Sequence, residues 1–203
     1  MILPQSFFDR DACLVARELL GKVLCHYYQG RWLKALIIET EAYYQHDKAS
    51  HASLGFTEKR KALFMPAGTI YMYYARGKDS FNVSCRGAGN AVLIKSGYPY
   101  VEDTDLELMQ QLNPQRNGKL RSITQLCKGQ TLLCKALGLK VNEWNQQQFN
   151  HAQLYIDDID YHVNGILQTT RLGIPEGRDG HLPYRFILQT MSRYATKPPV
   201  MDD

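Results

Sequence analysis

No apolar run in this chain of 203 residues approaches the roughly 18 residues that a membrane-crossing helix needs. No transmembrane span is therefore expected. The amino terminus, Met1-Ile2-Leu3-Pro4-Gln5, lacks a basic segment followed by an apolar stretch, which argues against a secretory signal. Cysteine is sparse: Cys13, Cys25, Cys85, Cys127 and Cys134 make five, with no C-x-x-C pair. An odd count without that spacing speaks against a disulfide framework or a metal knuckle and makes a reducing cytosol the simplest setting. Repeats and low-complexity tracts are missing as well. With 44% apolar and 22% charged residues the composition is that of a globular protein, not a disordered or collagen-like one. The length suits one compact domain, 1–203, with residues 196–203 expected to be loose.

What is present is unevenly distributed charge. Residues 1–100 hold 13 basic against 8 acidic side chains, while residues 101–203 hold 11 against 12. Arg116, Lys119, Arg121, Lys128, Lys135 and Lys140 fall within 114–140, where no acidic residue occurs. Clustered cations favour a polyanionic partner through counterion release; a solvated basic face gives the same pattern.

Helical spacing of Ala12, Val15, Ala16, Leu19 and Leu20, after Asp9 and before Gly21, predicts a helix over 9–20. Strands are predicted at Lys22–Tyr28 and Arg31–Tyr43, joined as a hairpin by Gln29-Gly30. Residues 44–66 read as an irregular, basic loop, too long for a passive connector and so functional. Further strands are expected at Thr69–Ala75, Phe81–Cys85, Ala91–Ser96, Leu154–Ile156 and Tyr184–Leu188, and helices at 101–113 and Thr131–Leu137. Without regular βαβ alternation, these elements point to an α+β domain.

The most informative stretch is Leu33 to Tyr43. Strand alternation puts Leu33, Ala35, Ile37, Glu39, Glu41 and Tyr43 on one side, so an apolar face turns acidic at its end. Carboxylates are depleted in strands. Either the strand reaches solvent, or Glu39 meets a basic partner, or a partly shielded carboxylate serves as a general base. Seven of the 13 tyrosines lie between positions 43 and 100, interleaved with Lys59, Arg60, Lys61, Arg76, Lys78, Arg86 and Lys95. Rings that stack on bases beside cations that hold a backbone suit nucleic acid; tyrosine is also an ordinary half-buried strand residue.

Other motifs carry less. Arg86-Gly87-Ala88-Gly89-Asn90 precedes a strand, not a helix, and so reads as a hairpin turn and not a phosphate loop. His46-Asp47-x-x-x-His51 lacks a third ligand cluster, and Asp157-Asp158-x-Asp160 lacks the glycine and final glutamate of an EF-hand, so no metal is expected. Cys127 and Cys134 read as packing residues.

Taken in order, Glu39-Thr40-Glu41-Ala42-Tyr43, Asp47-x-x-x-His51, Phe64-Met65-x-x-Gly68-Thr69-x-Tyr71-x-Tyr73 and Asn82-Val83-Ser84 form a recognisable series. It continues through Gly87-x-Gly89-x-Ala91-Val92-Leu93-Ile94, Leu126 to Gly138, Arg171-Leu172-Gly173-Ile174 and Pro183-Tyr184-Arg185-Phe186. Over nearly its whole length the chain resembles the DNA-3-methyladenine glycosylases of the alkyladenine (methylpurine) family. The resemblance implies a curved, mainly antiparallel sheet with flanking helices and a protruding β-hairpin. It implies flipping of a damaged purine such as 3-methyladenine or 7-methylguanine from duplex DNA into a pocket. Glu41 would activate water against C1′ of the deoxyribose. Tyr43, His51 and Tyr73 would wall the base pocket, and Asn82 would discriminate purine edges. Tyr74, Arg76, Leu93 and Lys95 fall at DNA-contacting or wedge positions.

Two departures stand out against the family: Arg76 occupies the usual wedge tyrosine's place, with Tyr74 two residues earlier and the following segment Lys78–Phe81 one residue shorter than in animal relatives, and Lys95 occupies the place of the pocket arginine. By the same resemblance the enzyme would be a monomer acting on DNA in the cytoplasm. It would need no cofactor, metal or lysine nucleophile and would have no AP-lyase step. Two rivals are kept: a non-catalytic nucleic-acid-binding domain, and a sugar glycosidase using Glu39 and Glu41 as its carboxylate pair.

Overall fold

The computed structural model describes residues 1–197. Within them eight strands form one antiparallel sheet that does not close. They are β1 (Val23–Tyr28), β2 (Arg31–Tyr43), β3 (Ile70–Ala75), β4 (Lys78–Ser84), β5 (Ala91–Pro99), β6 (Leu154–Asp157), β7 (Ile166–Thr169) and β8 (Arg185–Leu188). The main path runs β3-β4-β5-β2-β1-β6, and the far end of β2 also pairs with β8, which carries β7. Among the described residues six short helices accompany the sheet: α1 (Gln5–Phe8), α2 (Ala12–Glu18), α3 (Leu106–Leu112), α4 (Ile123–Leu126), α5 (Gln130–Ala136) and α6 (Val141–Trp144). The architecture is α+β, as expected. Among the described residues no helix is long and apolar enough to cross a membrane.

Strand β2 organises the molecule because both of its faces are buried. Leu33, Ala35 and Ile37 enter the main core with α2 and α5, while Leu36 and Ile38 pack into a second cluster with Val23, Cys25 and Leu188. Double burial explains the unbroken apolar run of its middle. The expected single face from Leu33 to Tyr43 does not hold. The pairing with β5 is irregular around Glu39, where Ile37 faces Gly97 but Glu39 faces Ser96. Beyond that point Ala42 joins the main core and Thr40 Oγ1 donates to Ala16 O of α2. One extra residue has reversed the parity, so Glu39 and Glu41 face away from the main core. A β-bulge does this, and single-sequence alternation does not reveal it.

Strand β4 begins at Lys78, three residues before the expected Phe81, so β3 and β4 meet in a tight hairpin. Its two turn residues, Arg76 and Gly77, both have positive φ (51° and 75°), the geometry that matches strand twist in two-residue hairpins. The Gly87–Gly89 segment is the turn from β4 to β5. A Cβ on Gly89 would stand 2.8 Å from that of Ala52, so glycine lets the 44–66 loop lie against this turn. That loop is built of two 3-10 turns, His51–Leu54 and Glu58–Phe64. Strand β7 and helices α1, α4 and α6 were not foreseen; each has only four residues, too short for a periodic signal. Cys127 and Cys134 are buried in the main core, as packing residues. Thr196 is held by hydrogen bonds to Glu39 and Arg185, while the remainder of the tail expected to be loose, 198–203, lies outside the described residues.

Candidate active site

A cleft of about 990 Å³ opens where β2, β3, β4 and β5 converge with the 44–66 loop, the start of α5 and the segment after Arg171. Alternation on β3 sends Tyr71 and Tyr73 toward it, and β5 and β4 contribute Leu93, Lys95 and Asn82. His51, at the start of a 3-10 turn whose Ser50 side chain caps Ala52 N, completes the ring cluster. Its ring centroid lies 4.3 Å from that of Tyr73, edge to face, and Tyr71 stacks on Tyr73 at 5.5 Å. His51 Nδ1 and the Tyr71 hydroxyl are 2.9 Å apart. Burial, reinforced by Arg60 and Arg178, lowers the His51 pKa and keeps the ring neutral at pH 7.

Glu41 is completely buried behind this cleft. Its Oε2 accepts a 2.6 Å hydrogen bond from the Tyr43 hydroxyl. Its Oε1 lies 3.4 Å from Lys95 Nζ and 3.4 Å from Leu172 N. Tyr43, Lys95 and Leu172 all line the cleft, so the carboxylate is met from the cleft side by each of them. Burial first, then the charge of Glu41, pushes the Tyr43 pKa up, so the phenol keeps the proton it donates. Lys95 owes its aim to the sheet irregularity. It is skipped between the pairs Thr40–Ile94 and Glu39–Ser96, and a bulged residue is freed to point where regular pairing would not send it.

Behind Tyr43 stands a pair that sequence reading did not single out. Arg171 places its guanidinium 4.6 Å from the Tyr43 ring centroid and donates to Ala42 O and to the buried Asp47 carboxylate. Asp47 is thus an arginine partner, and its neighbour His46 turns away to stack on Tyr44. The signal was in the sequence, in Asp47 and the Arg171-Leu172-Gly173-Ile174 motif, but nothing local joined positions 124 residues apart.

The remaining expected residues are placed as follows. Asn82 Nδ2 donates to Tyr71 O at 3.1 Å, which leaves Oδ1 as its free acceptor. Leu93 is only 2% exposed, paired with both Glu41 and Asn82; it can meet a base in the cleft but not a surface phosphate. Tyr74 is 59% exposed, and Arg76 is exposed at the tip of the β3–β4 hairpin. Glu39 does meet a basic partner: Arg185 Nε donates to it at 2.7 Å, and Ser96 and Thr196 take its other oxygen. With those oxygens occupied, Glu39 cannot serve as the second carboxylate of a glycosidase pair.

Comparison with known proteins identifies the family of the chain. The profile described as Methylpurine-DNA glycosylase (MPG) matches residues 6–192. Three relatives, each provisionally named 3-methyladenine DNA glycosylase, align along almost the entire chain. One from Pseudomonas aeruginosa (strain LESB58) is 59% identical, covering 98% of this chain and 84% of its own. Another, from Pseudomonas savastanoi pv. phaseolicola, is 56% identical over 98% and 91%. A third, from Carboxydothermus hydrogenoformans, is 35% identical over 97% and 100%. With the family profile spanning residues 6–192 and relatives aligned along almost the whole chain, one assignment follows: the chain belongs to the methylpurine-DNA glycosylase family of DNA-repair enzymes.

Proposed function

We propose that this protein removes alkylated purines such as 3-methyladenine and 7-methylguanine from duplex DNA by hydrolysing their N-glycosidic bond. The observation that carries the reading is the sheltered Glu41 carboxylate, held by Tyr43 and Lys95 directly behind the wall of an aromatic cleft. A base must leave the stack to enter such a cleft, and a damaged, poorly paired base is turned out at least cost. Tyr43, Tyr73 and His51 then present rings to the flipped purine. Purines alkylated at N3 or N7 are cationic, which favours aromatic faces and already weakens the bond to C1′. Glu41 takes a proton from water as the oxygen attacks C1′, and the electron pair of the breaking C–N bond neutralises the departing purine. The leaving group therefore needs no separate strong acid. Water, and not Lys95, is the nucleophile in this scheme, the enzyme acts as a monomer, and the abasic strand is left uncut.

The test is an assay on oligonucleotide duplexes, each carrying one defined damaged purine. Release of free 3-methyladenine or 7-methylguanine from an intact strand is the expected result. A protein that binds the duplex and leaves every base attached would be the binding domain of the rival reading.

A further inference from the structure

Glu39 has no part in that chemistry, yet it is as thoroughly buried as Glu41. A buried carboxylate is costly unless its oxygens are fully met. Here Oε1 accepts from Arg185 Nε at 2.7 Å, and Oε2 accepts from Ser96 Oγ at 2.5 Å and Thr196 N at 2.9 Å. Arg185 Nη2 reaches on to the carbonyl oxygens of Thr196 and Lys197. Ser96 Oγ in turn accepts from Gly129 N at 3.0 Å and touches Thr196 Oγ1 at the same distance. Lys128 Nζ closes the figure by donating to Arg193 O at 3.1 Å.

Two remote pieces of chain are thereby fastened to one point on β2. Residues 128–132, which lead into α5, and Thr196 with Lys197 all line the cleft. Neither piece pairs with the sheet. Segments outside the ladders open most easily unless something specific holds them. Two lysines of the wall they build, Lys128 and Lys197, are among the residues that line the cleft.

We infer that Glu39 is a positioning residue, a buried clasp that sets the wall of residues 128–132 and 196–197 against the cleft so that its lysines meet the phosphates flanking the turned-out nucleotide. The inference rests on the reading of the cleft as a duplex-DNA site. It makes the two carboxylates of the acidic strand end a division of labour: Glu41 for chemistry, Glu39 for the shape of the wall.

The test uses the full-length protein, with Glu39→Gln to remove the charge facing Arg185 and Ser96→Ala as a milder cut of the same network. Affinity for undamaged duplex is measured across a salt series, amide exchange is followed over 189–197, and single-turnover base release is measured at saturating enzyme. Glu39→Gln is expected to speed exchange in that segment and weaken duplex binding about tenfold. It should also flatten the salt dependence by about one phosphate contact. The saturated rate should fall less than the affinity, and Ser96→Ala should shift each quantity the same way by less. If Glu39→Gln does not fold, Ser96→Ala alone decides. Unchanged affinity and salt slope in a folded variant overturn the inference, as does a saturated rate that collapses while affinity holds. Because binding is read on undamaged duplex, a wild-type protein that releases no base would defeat the glycosylase reading without touching this measurement.

Discussion

The Tyr43 hydroxyl donates a 2.6 Å hydrogen bond to Glu41 Oε2. These side chains are two positions apart on one strand, so they share a face, and the pair moves as a unit with β2. A carboxylate so held is fixed in direction. Replacing Glu41 by Gln keeps the shape and the Tyr43 contact but removes the proton acceptor. Base release should fall by about 10²- to 10⁴-fold, the usual contribution of a general base. Duplex affinity should stay near wild type. Excision of 3-methyladenine at the wild-type rate would show that Glu41 is not the base.

The ring cluster predicts a different pattern. Tyr73 touches the His51 ring at 4.3 Å and the Tyr71 ring at 5.5 Å, and both Tyr73 and Tyr43 line the cleft. Truncating either to alanine removes a stacking face worth about 1–3 kcal/mol per base. That loss bears on the extruded base and not on the flanking phosphates. Excision should therefore weaken more than overall duplex affinity in Tyr43→Ala and Tyr73→Ala. Equal losses in rate and affinity would argue against stacking.

Much of this site was legible in the sequence because its parts are local. Glu41 and Tyr43 lie on one strand, and Tyr71, Tyr73 and Asn82 lie on one hairpin, so alternation and motif order placed them together. What stayed hidden depends on pairing between distant segments. The irregularity beside Glu39 reverses the parity of β2 and frees Lys95, and it exists only once β5 is docked. The Asp47–Arg171 pair and the Glu39–Arg185 pair join residues 124 and 146 positions apart, beyond any local pattern. Short elements such as β7 exist only because a neighbour supplies their hydrogen bonds.

The hairpin tip gives a clean probe of the wedge. Arg76 holds φ at 51°, which a non-glycine residue adopts at a cost and glycine adopts freely. Arg76→Gly should therefore preserve the β3–β4 turn or stabilise it slightly, so any change in activity belongs to the lost side chain. Slower excision with an unchanged melting temperature is expected if Arg76 fills the gap left by the flipped nucleotide. If excision is unaffected while Tyr74→Ala slows it, the wedge is Tyr74, whose ring is already exposed on the same hairpin.

Stability should depend on pH through two histidines. Burial lowers the pKa of His26 and of His51 below the ordinary value of 6.5. Above pH 6.5 neither the folded nor the unfolded chain protonates these rings. As pH falls through 6.5 the unfolded chain binds protons first, so unfolding becomes easier until the lower folded pKa values are reached. The urea midpoint should drop between pH 7.5 and 5.5, and drop less in His26→Gln. His26 Nδ1–H donates to Leu137 O at 2.6 Å, a bond that does not require the charged form. An equal drop in the variant would assign the effect elsewhere.

The strongest stability prediction concerns Asp47 and Arg171, both buried, with the guanidinium also against the Tyr43 ring. Removing one partner of a buried pair leaves the other charge uncompensated, at about 3–5 kcal/mol. Asp47→Asn should lose stability of that order by urea unfolding. It should also slow excision, because Arg171 fixes Ala42 O and the Tyr43 ring beside Glu41. Replacing both partners by apolar residues, Asp47→Leu with Arg171→Met, removes the stranded charge, so the double variant should recover part of the stability. It should not recover the rate, since the ring loses its backing. The two measurements thus separate what the pair does for the fold from what it does for the cleft. An Asp47→Asn protein within about 1 kcal/mol of wild type would mean that the charge on Arg171 is answered by its carbonyl partners alone.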